Sequence, residues 1–159
     1  MLEGKIKKRE ELKVIISRLK EKGKKIVFTN GCFDLLHFGH VKYLQDAKKI
    51  GDVLIVAINN DSSVKKIKGD KRPLINETDR ARTIAALESV DYVTLFGEET
   101  PLKTIKLIKP DVLVKGSDWK EENIVGNKFV LGYGGEVRRI KLVARRSTTG
   151  LINKIAQLF

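Results

Sequence analysis

Residues 26–40 read Ile-Val-Phe-Thr-Asn-Gly-Cys-Phe-Asp-Leu-Leu-His-Phe-Gly-His. Ile26 to Phe28 is a short β-branched and aromatic run, the pattern of a buried strand. Asn30-Gly31 breaks it, because both residues tolerate positive φ. A helical pattern starts at Val41, with Val41, Leu44, Ala47 and Ile50 on one face. His37 and His40, the two histidines of the chain, thus stand three apart in the first turn of a helix that follows a strand and a glycine turn. Free backbone N–H groups and the helix dipole favour an anion there. Two ring donors, with Gly39 letting the backbone come close, make the stretch a phosphate cradle. A lone helical histidine is usually structural; a pair in one four-residue window at a strand-to-helix turn argues for a ligand role.

The rest of the chain alternates strands and helices. Residues 8–22 form an amphipathic packing helix through Leu12, Ile15, Ile16 and Leu19, ended by Gly23. Val53 to Ile58 is a continuous apolar run, which suits a parallel strand covered on both faces. Asn59-Asn60-Asp61-Ser62-Ser63 follows at its carboxyl end, where open α/β sheets place ligands. Asp61 there either meets a ligand or caps the next short helix. Residues 65–73, Lys-Lys-Ile-Lys-Gly-Asp-Lys-Arg-Pro, read as a basic loop. It is either a solvated loop or a mobile clamp that carries Lys68 and its neighbours to phosphate. Asn76 caps the next helix, with Asp79 placed close to a capping box; Arg80 lies in that helix, and by itself reads as a surface residue.

Tyr92–Phe96 is a third strand. Thr100-Pro101 opens a helix with Leu102, Ile105 and Ile108 inward, closed by Pro110. Val112–Val114 is a fourth strand that delivers Lys115-Gly116-Ser117-Asp118-Trp119. Trp119, the single tryptophan, is either core or a platform for a base or sugar. Residues 126–137 connect to a strand ending near Leu142. Ser147-Thr148-Thr149 caps a last helix whose Leu151, Ile152, Ile155 and Leu158 face inward. Three hydroxyls there form a second anion site or a plain cap, for which one would suffice.

These elements predict an α/β fold, a Rossmann-like parallel sheet with helices on both faces. One domain over 1–159 is expected, an N-terminal packing helix over 1–23 followed by a core over 24–159. Neither G-x-G-x-x-G after the first strand nor a Walker-type loop is present, which disfavours dinucleotide and P-loop readings.

With 42% apolar and 33% charged residues, the composition is globular. No apolar run approaches a membrane span and no signal peptide is visible, so no membrane partner is expected. Cys32 stands alone, which excludes an internal disulfide and a multi-cysteine zinc site and points to a reducing cytoplasm. The net charge of +12 suggests an anionic partner. Abundant Lys and Glu also fits thermal adaptation or plain solvation. A nucleic-acid-binding module is the reading of another class; few aromatics and no aromatic-and-basic motif argue against it.

His37-Phe38-Gly39-His40, preceded by Thr29-Asn30-Gly31-Cys32-Phe33-Asp34, resembles the H-x-G-H signature of the cytidylyltransferase-like nucleotidyltransferases. The resemblance runs from about Lys24 to the end. It is strongest to the branch that adenylylates D-glycero-β-D-manno-heptose 1-phosphate for lipopolysaccharide core heptose. The resemblance implies AMP transfer from ATP to the sugar 1-phosphate, with His37, His40 and Lys42 catalytic. It implies a nucleotide cradle from Thr29 through Asp34 with Gly39. Arg80 would face the nucleotide. Lys115, Gly116 and Asp118 resemble the family's glycine-acidic-aromatic loop, and Ser147, Thr148 and Thr149 its C-terminal hydroxyl motif. Asp61, Lys68 and Trp119 would meet substrate. Mg²⁺, held mostly by phosphate oxygens without a named protein ligand, and a homodimer are implied too. In bifunctional relatives a sugar-kinase domain precedes this region, so a kinase step is expected on another chain. The runner-up is a cytidylyltransferase for a polyol phosphate such as glycerol 3-phosphate. Those enzymes carry an arginine five residues before the serine, where this chain has Leu142, with Arg145 and Arg146 nearer the hydroxyls.

Overall fold

The computed structural model describes residues 2–144 and 146–158. Five parallel strands, β1 (Ile26–Gly31), β2 (Val53–Asn59), β3 (Tyr92–Phe96), β4 (Val112–Gly116) and β5 (Glu136–Ile140), form one sheet in the order β3-β2-β1-β4-β5. The chain winds outward from β1 to β3, then crosses back to lay β4 against β1. That reversal opens a crevice at the carboxyl ends of β1 and β4, the usual ligand position in a doubly wound sheet.

Every residue of β2 is buried, as its unbroken apolar run predicts. Alternate strand residues feed two cores. Val27, Val56 and Val112 pack with Leu44 and Ala47 of α3 (Phe38–Lys48) and Ile84 of α5 (Glu77–Ala85). Phe28, Ile55 and Leu113 pack on the other face with Leu12 and Ile16 of α2 (Arg9–Glu21) and Ile105 and Ile108 of α6 (Leu102–Ile108). The sheet is thus covered on both sides. A short α1 (Leu2–Lys5) precedes α2, and the chain after it bridges Ile6 to Val93, so Lys7 N donates to Val93 O at 2.9 Å along the β3 edge.

Four local expectations are corrected. Asn30-Gly31 does not break β1: both residues stay in the ladder opposite Ala57 and Ile58. The left-handed residue is Phe33, at φ 48°. Its ring folds back so closely that a Cβ on Gly31 would lie 2.9 Å from Phe33 Cε2, so Gly31 serves close approach rather than a turn. Residues 65–68 are not loop but the last turn of α4 (Asp61–Lys68), which Asn60, not Asp61, caps by accepting from Ser63 N. Between β4 and β5 lies a six-residue helix, α7 (Asn127–Gly132), hidden in the sequence by flanking glycines. Finally, α8 (Thr148–Leu158) buries none of its residues; Leu151, Ile155 and Leu158 are exposed. No described helix is long and apolar enough to cross a membrane.

Candidate active site

A cleft of about 360 Å³ opens at the carboxyl ends of β1 and β4. One wall is the turn from Asn30 to Asp34 with His37, Gly39 and His40; Lys115, Gly116, Asp118 and Trp119 form a second. Arg146 with Ser147, Thr148 and Thr149, and Lys68 with Arg72, complete the lining. Segments far apart in sequence thus meet because β4 pairs with β1.

The histidines are built by the helix start. His37 is the N-cap of α3, and its Nδ1 accepts from Gly39 N at 3.1 Å. That bond assigns its ring proton to Nε2. His40, one turn on, stacks on it with centroids 3.9 Å apart and 25° between planes, and meets the Phe33 ring at 5.4 Å edge-on. Burial, then His37, then Lys68 lower His40 to about 4. Burial and Arg146 also lower His37. Both shifts favour the neutral rings near pH 7, in which each imidazole keeps one N–H donor. His40 Nδ1 and Asn30 Oδ1 are buried without a partner among the described residues. A Cβ on Gly39 would fall 2.8 Å from His37 Cε1 and 3.1 Å from Arg146 Cβ, so only glycine leaves the ring its place.

Lys115 crosses from β4 to the first wall, donating to Asn30 O at 3.1 Å, with its ammonium 5.6 Å from the Trp119 ring centre. Burial lowers it to about 8, opposed by Cys32 and Asp118. Trp119 is 44% exposed, which places it at the mouth and not in the core. A Cβ on Gly116 would strike Asp118 Oδ1 at 2.5 Å and Leu142 Cδ2 at 3.0 Å. Leu142 thus supplies an apolar lining. Ser147 Oγ accepts from Gly150 N at 3.0 Å and caps α8; Thr148 Oγ1 donates to Leu35 O at 3.2 Å. The hydroxyls do two structural jobs while lining the cleft.

Four residues named from the sequence are placed otherwise. Lys42 lies outside the cleft lining; its ammonium pairs with Asp46 at 2.5 Å, one turn along α3. Thr29 is buried in the strand, bonded to Tyr43 Oη at 2.8 Å. Arg80 is not a surface residue but 1% exposed. It donates to Cys32 O (2.6 Å), Asn59 O (2.8 Å), Ile75 O (2.9 Å) and Asp61 Oδ1 (2.7 Å), bracing the site from below. Asp61 is that pair's other half and does not line the cleft. Cys32 lines the cleft, and burial pushes its thiol up despite Lys68, Arg80, Arg72 and Lys115 around it. Arg145 lies outside the described residues. Arg72, Tyr43 and Val143 line the cleft but were not singled out as site residues. The basic run at 65–73 was the signal for Arg72; nothing local marks the other two.

Residues 28–150 match the model of the family described as Cytidylyltransferase-like. The chain belongs to the cytidylyltransferase-like family. It is 54% identical over 157 residues to the Bifunctional protein HldE of Geobacter metallireducens, covering 99% of this chain and 32% of that protein. The HldE of Nitratiruptor sp. is 53% identical, over 94% of this chain and 32% of that protein. The chain thus spans about a third of the length of these relatives. Among solved structures, the lipopolysaccharide core biosynthesis protein from Thermoplasma volcanium superimposes with a TM-score of 0.63 at 32% identity, covering 76% of this chain and 98% of that one. Pantoate-beta-alanine ligase from Francisella tularensis, at a TM-score of 0.65 and 17% identity over 96% of this chain and 77% of that one, shares the fold.

Proposed function

We propose that this chain transfers AMP from ATP to D-glycero-β-D-manno-heptose 1-phosphate, giving ADP-heptose and pyrophosphate. The observation that carries the transfer chemistry is the stacked, neutral His37–His40 pair at a helix start, facing a cleft ringed by Lys68, Arg72, Lys115 and Arg146. The sugar rests on likeness to HldE proteins and to a lipopolysaccharide core biosynthesis protein.

The chemistry suits these residue types. A sugar phosphate is already ionised near neutral pH, so its attack on the α-phosphorus needs no general base. The barrier is the approach of anions and the charge that builds on departing pyrophosphate, which positioned donors lower. His37 Nε2–H donates to a phosphate oxygen, and His40 packs that ring while offering its own outer nitrogen. The 30–34 turn and the 147–149 hydroxyls hold the nucleotide. Lys115 and Trp119 line the side open to a base or sugar, with Leu142 favouring an adenylyl over a cytidylyl reading.

Mg²⁺ would be held mainly by nucleotide phosphates and water. Among the described residues no cluster of three or more His, Cys, Asp or Glu forms a metal site. Asp34 is spent on Arg72 and on backbone N–H groups, which leaves Asp118 as the carboxylate able to reach the ion, the phosphates and water holding the rest. When bound, it would neutralise phosphate charge. A cytoplasmic homodimer, supplied with sugar phosphate by a kinase, completes the proposal.

The test is pyrophosphate release with each of the four nucleoside triphosphates, given heptose 1-phosphate and Mg²⁺. Release with ATP alone, dependent on the sugar phosphate, is expected; release with CTP and a polyol phosphate instead would overturn the substrate assignment. His40→Ala should lose on the order of a hundredfold, and retention within about threefold would refute the positioning argument.

A further inference from the structure

Building on the nucleotidyl-transfer reading, we propose that Arg72 binds a phosphate group in this cleft, with Asp34 as the positioning residue that aims its guanidinium. Arg72 lies between α4 and α5, and its side chain is 14% exposed while lining the cleft. Its Nε donates to Asp34 Oδ2 at 2.6 Å. Nη1 and Nη2 have no hydrogen-bond partner among the described residues. A guanidinium carries five N–H donors in a planar fork, so one is spent on orientation and four remain for an anion. Phosphate oxygens match that fork.

Asp34 is built to hold the group still. Its side chain is 1% exposed and also accepts from Leu74 N and Ile75 N, each at 2.9 Å. One carboxylate of the signature turn therefore fixes both the arginine and the backbone that follows it. The segment is fixed from below as well, since Arg80 donates to Ile75 O and to Cys32 O of the same turn. These bonds make the position of Arg72 relative to His37 a property of the folded turn. They argue against a freely mobile clamp over residues 69–75. The bound carboxylate cancels the net charge of Arg72 but leaves its outward N–H edge positive, and Lys68, Lys115 and Arg146 supply the excess positive charge around the cleft. Together with two neutral imidazoles, this set suits a polyanion.

The anion is either a triphosphate oxygen or the sugar phosphate, and the experiment separates them. Binding of Mg²⁺–ATP, inorganic pyrophosphate and heptose 1-phosphate is measured calorimetrically, with steady-state KM and kcat, for wild type, Arg72→Gln, Arg72→Lys and Asp34→Asn. Arg72→Gln should weaken at least one of these ligands about 10- to 100-fold, and thermal melts follow separately the stability lost with the Asp34 pair. A loss on ATP and pyrophosphate assigns the triphosphate, and a loss confined to heptose 1-phosphate assigns the acceptor. Arg72→Lys should recover part of the loss. Asp34→Asn should weaken the same ligand, and the double variant should be no weaker than Arg72→Gln alone. Binding of all three ligands within twofold of wild type in Arg72→Gln overturns the inference, as does a full additive loss in the double variant. Pyrophosphate binding needs no turnover. If it depends on Arg72 while no nucleoside triphosphate is consumed, the phosphate site stands and the nucleotidyl-transfer reading falls.

Discussion

Gly39→Ala isolates the packing that positions His37. The backbone of Gly39 is helical, so alanine brings no strain there and, by helix propensity, contributes about 1 kcal/mol of stability. The new Cβ, however, would sit 2.8 Å from His37 Cε1, 2.9 Å from its Nδ1 and 3.1 Å from Arg146 Cβ. The imidazole must swing away, which breaks the Gly39 N–H bond to Nδ1 at a cost of about 1 kcal/mol. Overpacking at such a contact costs about 1–3 kcal/mol more. The net is a loss of roughly 1–3 kcal/mol, or a fall of about 2–12 °C in melting temperature for a chain of this size. Activity should fall further than stability, because the Nε2–H leaves its position and a displaced donor of this type costs on the order of a hundredfold in kcat. Thermal melts and pyrophosphate release, run on the same preparation, measure both. A variant as stable as wild type, with activity within threefold, would refute the claim that this glycine reserves space for the ring.

Acid should weaken the fold in two stages. His40 titrates at about 4 when folded against an ordinary 6.5, so between these values the unfolded chain binds more protons and stability falls as pH drops. The loss is on the order of 2–3 kcal/mol, and His40→Gln should flatten most of the change in urea midpoint between pH 6.5 and 4.5; an unaltered slope would assign it elsewhere. Asp34, held below its usual range by the Leu74 and Ile75 N–H groups and Arg72 against its own burial, contributes stability that is lost only under more acidic conditions. Arg80→Met leaves three carbonyls and Asp61 without their partner and should cost about 3–5 kcal/mol, read by denaturant unfolding; a loss under 1 kcal/mol would mean the brace is dispensable. Lys42→Ala removes a partly exposed i,i+4 pair with Asp46 worth about 0.5 kcal/mol. Transfer should stay within threefold, and a hundredfold drop would return Lys42 to the reacting centre.

The local elements were legible because their signals are local. The Tyr92–Phe96 strand has the bounds its β-branched and aromatic run predicts. Asn76 caps α5 by accepting from Asp79 N at 3.0 Å, as the spacing of polar residues announces. Alternation of strands with helices was enough for a parallel sheet covered on both faces, and the paired histidines marked the helix start where the cleft opens. Amphipathicity misled once: Leu151, Ile155 and Leu158 of α8 follow the helical period yet stay exposed, because periodicity shows that a face exists and not what covers it.

By itself, then, the amino-acid sequence determined the succession of the five strands and the longer helices, the signature turn and its histidines, since these depend on residues a few positions apart. Only the tertiary structure decided what the charges do. Sheet order lays β4 against β1, and that pairing alone brings Lys115 to Asn30. Arg80, Asp34 and Lys42 are all site residues by resemblance; the fold makes one a buried brace, one the anchor of Arg72, and one half of a partly exposed pair with Asp46. A charge is committed by whichever partner the folded chain brings within about 3 Å, and the cost of burying it unpaired enforces that choice.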